Sequence, residues 1–321
     1  MLDRSTTPFM TPSDMQQVRI VGLLDALAPQ EGYNLSRLDR VRFLRSDRPL
    51  ARTPVLYEPG IVIVCQGRKR GFFGGDIYVY DAHHYLAVSV PVPFTMETDA
   101  SADAPLLAIY MSLDQAAAAA VLLQIDQADG TPPAPARSMM ATRMDDSMSG
   151  SVLRFLEAMS DPLAARVLGP SLVQELYFRV LTGAQGASMR AALAMQGQFG
   201  KIARALRRIH AGYAGRLAVD VLAREAAMSV PSFHAHFRAV TGTSPVQYLK
   251  SVRLHQARLL MLRQEVGAAA AGAAVGYESS SQFSREFHRL FGRPPAEEVR
   301  RLRTAYALPA WPADTAFVSS H

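Results

Sequence analysis

The stretch at residues 275–297, VGYESSSQFSREFHRLFGRPPAE, sorts its side chains by spacing. Phe283, Phe287 and Phe291 recur every four residues, which lines them up on one face of a helix beside Leu290. Ser280, Ser281, Gln282, Ser284, Arg285, His288 and Arg289 take most of the remaining positions of the helix, and they donate hydrogen bonds. The chemistry of such a face is recognition. A guanidinium can grip two acceptors on one base edge, hydroxyls and amides add single contacts, and further basic groups hold phosphate oxygens.

Bond-making chemistry finds little support elsewhere. His83 and His84 are adjacent, so on a strand they point to opposite faces and cannot share a metal in the His-x-His manner. Gly71-x-x-Gly74-Gly75 reads as hairpin punctuation, and no nucleophile motif is present. The single cysteine, Cys65, excludes an internal disulfide and a multi-thiolate zinc site, and its apolar strand IVIVCQ predicts a buried thiol. Met139, Met140, Met144 and Met148 are spaced for helix and core packing. The expectation is no enzyme, no metal and no cofactor.

The chain has 321 residues, 49% of them hydrophobic, enough for two or three domains with cores. No leader-like N-terminus and no apolar run of about 18 residues stand out, so a cytoplasmic protein away from the membrane is expected. The charge is uneven. Residues 197–303 carry 17 Lys and Arg against 7 Asp and Glu, whereas residues 1–196 carry 17 against 20. A basic third on a mildly acidic remainder is the footprint of a nucleic-acid-binding domain.

The positioning elements follow from periodicity. Residues 14–28 predict an amphipathic helix. Short β-rich runs at VRFLR, IVIVCQ, KRGFF, DIYVY, HYLAVSV, PFTMET and PLLAIYMS predict a small antiparallel barrel or sandwich. A helix at 115–123 and a proline-rich loop at 128–137 follow, and beyond them the chain reads as almost wholly helical. Residues 201–210 place Ile202, Ala205, Leu206 and Ile209 on one side.

The basic third contains one pattern twice. SVPSFHAHFRAVTGTSP at 229–245 matches SSSQFSREFHRLFGRPP at 279–295 after a shift of fifty positions. In each copy a serine is placed as N-cap, with Ser279-x-x-Gln282 fitting a capping box, and a glycine is placed to end the helix in a left-handed residue. An alanine-rich segment and a tight turn precede each helix, which describes a helix-turn-helix. A recognition helix meets base edges with its N-terminal residues. The base readers expected are Ser280, Ser281, Gln282 and Arg285 in the second unit, and Ser232, His234 and Ala235 in the first. Phosphate contacts are expected from Arg238, Lys250, Arg253, His288 and Arg289. Gly272 interrupts the helix before the second reader, at a cost of about 1 kcal/mol against alanine.

At these residues the chain resembles a known family. Leu222-Ala223-x-x-Ala226-x-Met228-Ser229, Gly242-x-Ser244-Pro245-x-x-Tyr248 and Arg253-Leu254-x-x-Ala257-Arg258-x-Leu260 look like the first half of an AraC-type DNA-binding domain. Val275-Gly276-Tyr277-x-Ser279, Phe283-x-Arg285-x-Phe287 and Phe291-Gly292-x-Pro294-Pro295 look like the second. Tyr57-Glu58-Pro59, residues 66–70, Tyr80-Asp81 and His84-Tyr85-Leu86 are similar to the sensing domain of one branch of that family. The resemblance implies an α+β chain: a cupin-like β-barrel at 1–135, an all-α linker and dimerisation segment at 136–196, a DNA-binding domain with two helix-turn-helix units at 197–305, and a loose tail at 306–321. It further implies a long joining helix at about 245–262, double-stranded DNA and a second copy of the chain as partners, and a small-molecule effector and RNA polymerase besides. The effector-binding residues do not carry over from the resemblance. The rival reading is a cupin-like ligand- or protein-binding module with a weak or vestigial DNA anchor.

Overall fold

The computed structural model describes residues 11–126, 136–184, 186–194 and 197–305. The tail at 306–321 and most of the proline-rich loop lie outside these residues. Helix α1 (Pro12–Leu27) leads into nine strands: β1 (Gly32–Leu35), β2 (Val41–Ser46), β3 (Leu50–Tyr57), β4 (Gly60–Gln66), β5 (Arg68–Phe73), β6 (Asp76–Asp81), β7 (His84–Val88), β8 (Val92–Asp99) and β9 (Leu106–Ser112). After α2 (Gln115–Asp126) comes one more strand, β10 (Met139–Arg143). The strands form two antiparallel sheets, ordered β1-β2-β9-β4-β7-β10 and β3-β8-β5-β6.

The six-stranded sheet is buried on both faces, which explains the unbroken apolar run of β4. Leu44, Val62, Leu86, Ala108 and Tyr110 face the smaller sheet, meeting Val55, Tyr57, Phe94 and Met96. Phe43, Ile61, Ile63, Cys65 and Ile109 face the other way, against α1 and the helices α3 (Asp146–Met159) and α4 (Pro162–Thr182). Cys65 is thus a core residue, and burial pushes its thiol up to about 12. The smaller sheet shows solvent on its outer face, so β8 alternates strictly between buried and half-buried residues.

Three strands lie outside the expected runs: β1, only four residues long, β3 and β10. β3 carries Pro54, which reads as a breaker, yet β3 lies at the edge of its sheet, where proline is tolerated. β10 falls within the segment expected to be all helix. Met139 and Met140 lie on this strand, paired with Val88 and Ala87 of β7, and Ser89 holds the approach through hydrogen bonds to the carbonyls of Arg137 and Ser138.

The rest is helical: α5 (Gly186–Ala194), α6 (Gly197–Gly212), α7 (Val219–Glu225), α8 (Val230–Thr241), α9 (Pro245–Arg263), α10 (Ala268–Ala274), α11 (Ser280–Phe291) and α12 (Pro295–Ala305). The core of the smaller sheet continues into the first of these units, where Ile202, Leu206, Phe233, Phe237 and Tyr248 pack in one cluster with Val90 and Val92. Phe283, Phe287 and Phe291 build a separate core with Leu254, Ala257 and Met261 of α9.

Candidate nucleic-acid interface

The repeat in sequence is a repeat in structure. α7 and α8 form one helix-turn-helix unit and α10 and α11 the other. Ser229 accepts from the backbone of Ser232 at 3.4 Å, and Ser279 accepts from that of Gln282 at 3.3 Å. Gly242 and Gly292 close the two helices in the left-handed conformation, with φ of 70° and 74°. The phenylalanines of both copies are buried, so each helix is fixed by the face opposite its polar side chains. Gly272 has a packing reason. It is buried in α10 where a Cβ would stand 2.9 Å from the Phe283 ring, so the glycine lets α10 close on α11.

On α11, Ser280, Ser281, Ser284, Arg285, His288 and Arg289 are all exposed. On α8, His234, Ala235 and Arg238 are exposed, while Ser232 is half-buried. The ring of His236 folds back on its own helix, with Nδ1 2.8 Å from the Ser232 carbonyl and 3.3 Å from its hydroxyl.

Three residues expected at DNA also have partners inside the domain. Gln282 is the N3 residue of α11, but its side chain does not return to Ser279 to complete a capping box; its Nε2 donates to Glu286 Oε1 at 3.2 Å. Lys250 of α9 donates to the same oxygen at 2.7 Å, and Tyr277 donates its hydroxyl to Oε2 at 2.9 Å. Burial alone would raise the Glu286 carboxyl, but these three donors hold it below its ordinary value, so it is ionised. Arg253 donates to three carbonyls, Tyr213 at 2.8 Å, Gly215 at 2.9 Å and Gly276 at 3.2 Å. One guanidinium on α9 thereby ties the loop after α6 to the turn before α11, joining the two units.

Contacts with the sheets complete the setting. Tyr248 donates to the Pro91 carbonyl at 2.9 Å, and His210 Nε2 lies 2.7 Å from the Tyr248 oxygen. His210 Nδ1 faces Glu58 at 4.0 Å. Burial lowers His210 to about 4 and raises Glu58 to about 7, so at neutral pH the imidazole is uncharged and the carboxyl is in mid-titration. Arg258, fully buried, lies 4.0 Å above the Phe291 ring and donates to Glu298 at 3.3 Å and to the Pro54 carbonyl at 3.1 Å. Ser138 donates to the Val240 carbonyl. Glu58, Arg258, Tyr277, Glu286 and Glu298 are absent from the sequence-derived set. The available signal was Glu286, the single carboxylate on a helix otherwise made of neutral and basic polar groups.

Elsewhere, His84 Nδ1 lies 2.7 Å from Asp81 Oδ1. Among the described residues no three His, Cys, Asp or Glu side chains converge as a metal site, and no helix is long and apolar enough to cross a membrane.

Residues 37–188 match the family described as AraC-type transcriptional regulator N-terminus, and residues 222–301 match the helix-turn-helix domain family. The "RCS-specific HTH-type transcriptional activator RclR" of Escherichia coli is 39% identical over 85 residues, 26% of this chain and 30% of that protein. The "MmsAB operon regulatory protein" of Pseudomonas aeruginosa is 32% identical over 88 residues, 27% of this chain and 29% of that protein. The match thus spans less than a third of either relative's length. Crystal structures of ToxT from Vibrio cholerae share the fold. The unsaturated fatty acid bound form has a TM-score of 0.54 at 12% identity, covering 84% of this chain and 96% of that one. A form from strain O395 has a TM-score of 0.51 at 10% identity, covering 80% and 97%.

Proposed function

This chain belongs to the AraC-type transcription regulators, and from that premise we propose that it binds specific DNA with two recognition helices in successive major grooves. The observation that carries the reading is the duplicated helix of the basic third, capped alike in both copies and exposing polar side chains in each. In this reading Ser280, Ser281, Gln282 and Arg285, with Ser232, His234 and Ala235, face bases. Arg238, His288 and Arg289 face phosphates. Lys250 and Arg253 stand behind them, holding Glu286 and the backbone between the units. The protein acts in the cytoplasm, as a dimer formed through the helices after the sheets, and meets RNA polymerase at its promoter. The assigned units are residues 1–135, 136–196 and 197–305.

A small-molecule effector in the β domain is supported by one feature. Lys69 is fully buried among the tyrosines of the sheet core, with Nζ 3.5 Å from the Tyr57 hydroxyl, and burial holds its ammonium well below the usual range. Such a polar cluster inside an apolar core has the chemistry of a ligand site.

Selection of duplexes from a random pool by the full-length protein, followed by affinity measurement across salt concentrations, tests the reading. Expected is one enriched sequence bound at least about 1,000-fold more tightly than random DNA, with affinity falling linearly on a log–log salt plot. Equal affinity for selected and random duplexes would leave the rival reading, a binding module with a vestigial anchor.

A further inference from the structure

Glu286 stands on the recognition helix of the second unit, and its side chain is only 8% exposed. A carboxylate there looks out of place, since the surface proposed for it faces a polyanion. Lys250 neutralises it, and Tyr277 and Lys250 together hold it ionised. An ionised carboxylate accepts hydrogen bonds and donates none. The end of the Gln282 amide that faces it at 3.2 Å is therefore the NH2 group. The carbonyl Oε1 is the other branch of the amide carbon and so cannot face the same carboxylate oxygen, and Gln282 itself is half-buried. Reversing the amide would set Oε1 against the carboxylate, losing a hydrogen bond and opposing two acceptors at the edge of a buried site.

Resting on the DNA-binding reading above, we infer that Glu286 is a positioning residue for specificity: it fixes Gln282 with its acceptor outward, so the second unit contacts the amine of a base pair rather than its keto oxygen. In the major groove adenine presents an N6 amine and cytosine an N4 amine, whereas guanine and thymine present O6 and O4. An outward Oε1 accepts from either amine and meets either keto oxygen without a proton between them. The remaining N–H of the amide is still available to adenine N7, so adenine is the better fit of the two.

The test uses the full-length protein and a random duplex pool at one fixed salt concentration. Gln282→Ala identifies the base pair whose preference depends on Gln282. Every pair offers one amine and one keto oxygen in the major groove, so base analogues separate them: replacing the amine there (purine for adenine, or 2-pyrimidinone for cytosine) is expected to cost the wild-type protein about ten-fold in affinity and to cost Gln282→Ala nothing. In Glu286→Gln the neutral partner can donate as well as accept, so either amide orientation is satisfied, and the loss on removing the amine should shrink to about two-fold or less. Affinity for random duplexes should stay level or rise in that variant, because a negative charge is gone and Lys250 is released toward phosphate. A purely structural role would lower specific and random binding together.

Loss of affinity on removing the keto oxygen of that pair but not its amine, the absence of any Gln282-dependent pair, or an undiminished loss in Glu286→Gln would overturn the inference and leave the DNA-binding reading standing. A wild-type protein that enriches no sequence would overturn both. Should Glu286→Gln fail to fold, the base-analogue measurements on the wild type and Gln282→Ala decide the matter, since an outward acceptor makes affinity depend on the amine of the pair and not on its keto oxygen.

Discussion

Single side chains in this protein do more work against carbonyl groups than their types suggest. Arg253 is the plainest case, with three backbone acceptors, two in the loop between α6 and α7 and one in the turn before α11. Arg253→Ala should therefore lower unfolding free energy by about 2 kcal/mol, measured in urea, and lysine should not restore it, because an ammonium cannot fork to three carbonyls. A residue that only gripped phosphate would leave stability intact and reduce the salt slope by about one. Glu58 gives a second measurable effect. Burial raises its carboxyl from 4.5 to about 7, so the folded protein holds a proton that the unfolded chain releases. That contribution is fully present below pH 4.5 and is lost as pH rises through about 7. His210, lowered from 6.5 to about 4, has the opposite slope, with stability rising over that interval, but it is present in both proteins when Glu58 is varied. Glu58→Gln should accordingly gain on the wild type by about 1–2 kcal/mol between pH 5 and pH 8, a range reduced for the partial exposure of the carboxyl. A difference that stays constant with pH would show that Glu58 titrates as an ordinary surface acid.

At the scale of elements, what the sequence displays depends on whether a position has to be of one type. The recognition helices were legible because each is bounded by a serine that caps and a glycine that ends it, and filled by phenylalanines at fixed spacing. The strands with alternating or continuous apolar residues were legible for the same reason. β1, with only four residues, β3 and β10 were not. Pro54 masks β3, and β10 is held by pairing with β7 after a proline-rich stretch, so its own residues carry no strand alternation. The docking of Tyr248 and Arg258 onto the Pro91 and Pro54 carbonyls was equally invisible, since a backbone acceptor leaves no mark on residue type. Gly272 shows propensity and packing in opposition. By helix propensity alone Gly272→Ala should stabilise by about 1 kcal/mol. The Phe283 ring 2.9 Å from the added carbon reverses the sign, and a net loss of about 1–3 kcal/mol is expected on thermal or urea unfolding. A stabilised variant would show that α10 can withdraw from α11 at little cost.

Over the whole molecule, the first helix-turn-helix unit shares its core with the β domain while the second has its own. Cutting the chain at residue 197 would uncover the apolar side of α6, α8 and α9 that meets Val90 and Val92. The fragment 197–305 should fold, melt well below the intact protein, and bind the same selected duplex more weakly by roughly 100-fold if a dimer supplies the linked second module. A folded fragment with no affinity for that duplex would disprove the assignment of DNA binding to this part of the chain. The two units also differ in what they show, His234 and Ala235 on one and Gln282 and Arg285 on the other. They are joined in fixed order by α9, nineteen residues or about 28 Å of helix. No rotation exchanges them, so a single chain has a front and a back on DNA. On the proposed DNA-binding reading, the half-site of one chain is an arrow rather than a palindrome. Inverting that sequence in place would keep the affinity and turn the bound protein around, presenting its β domain to the opposite flank.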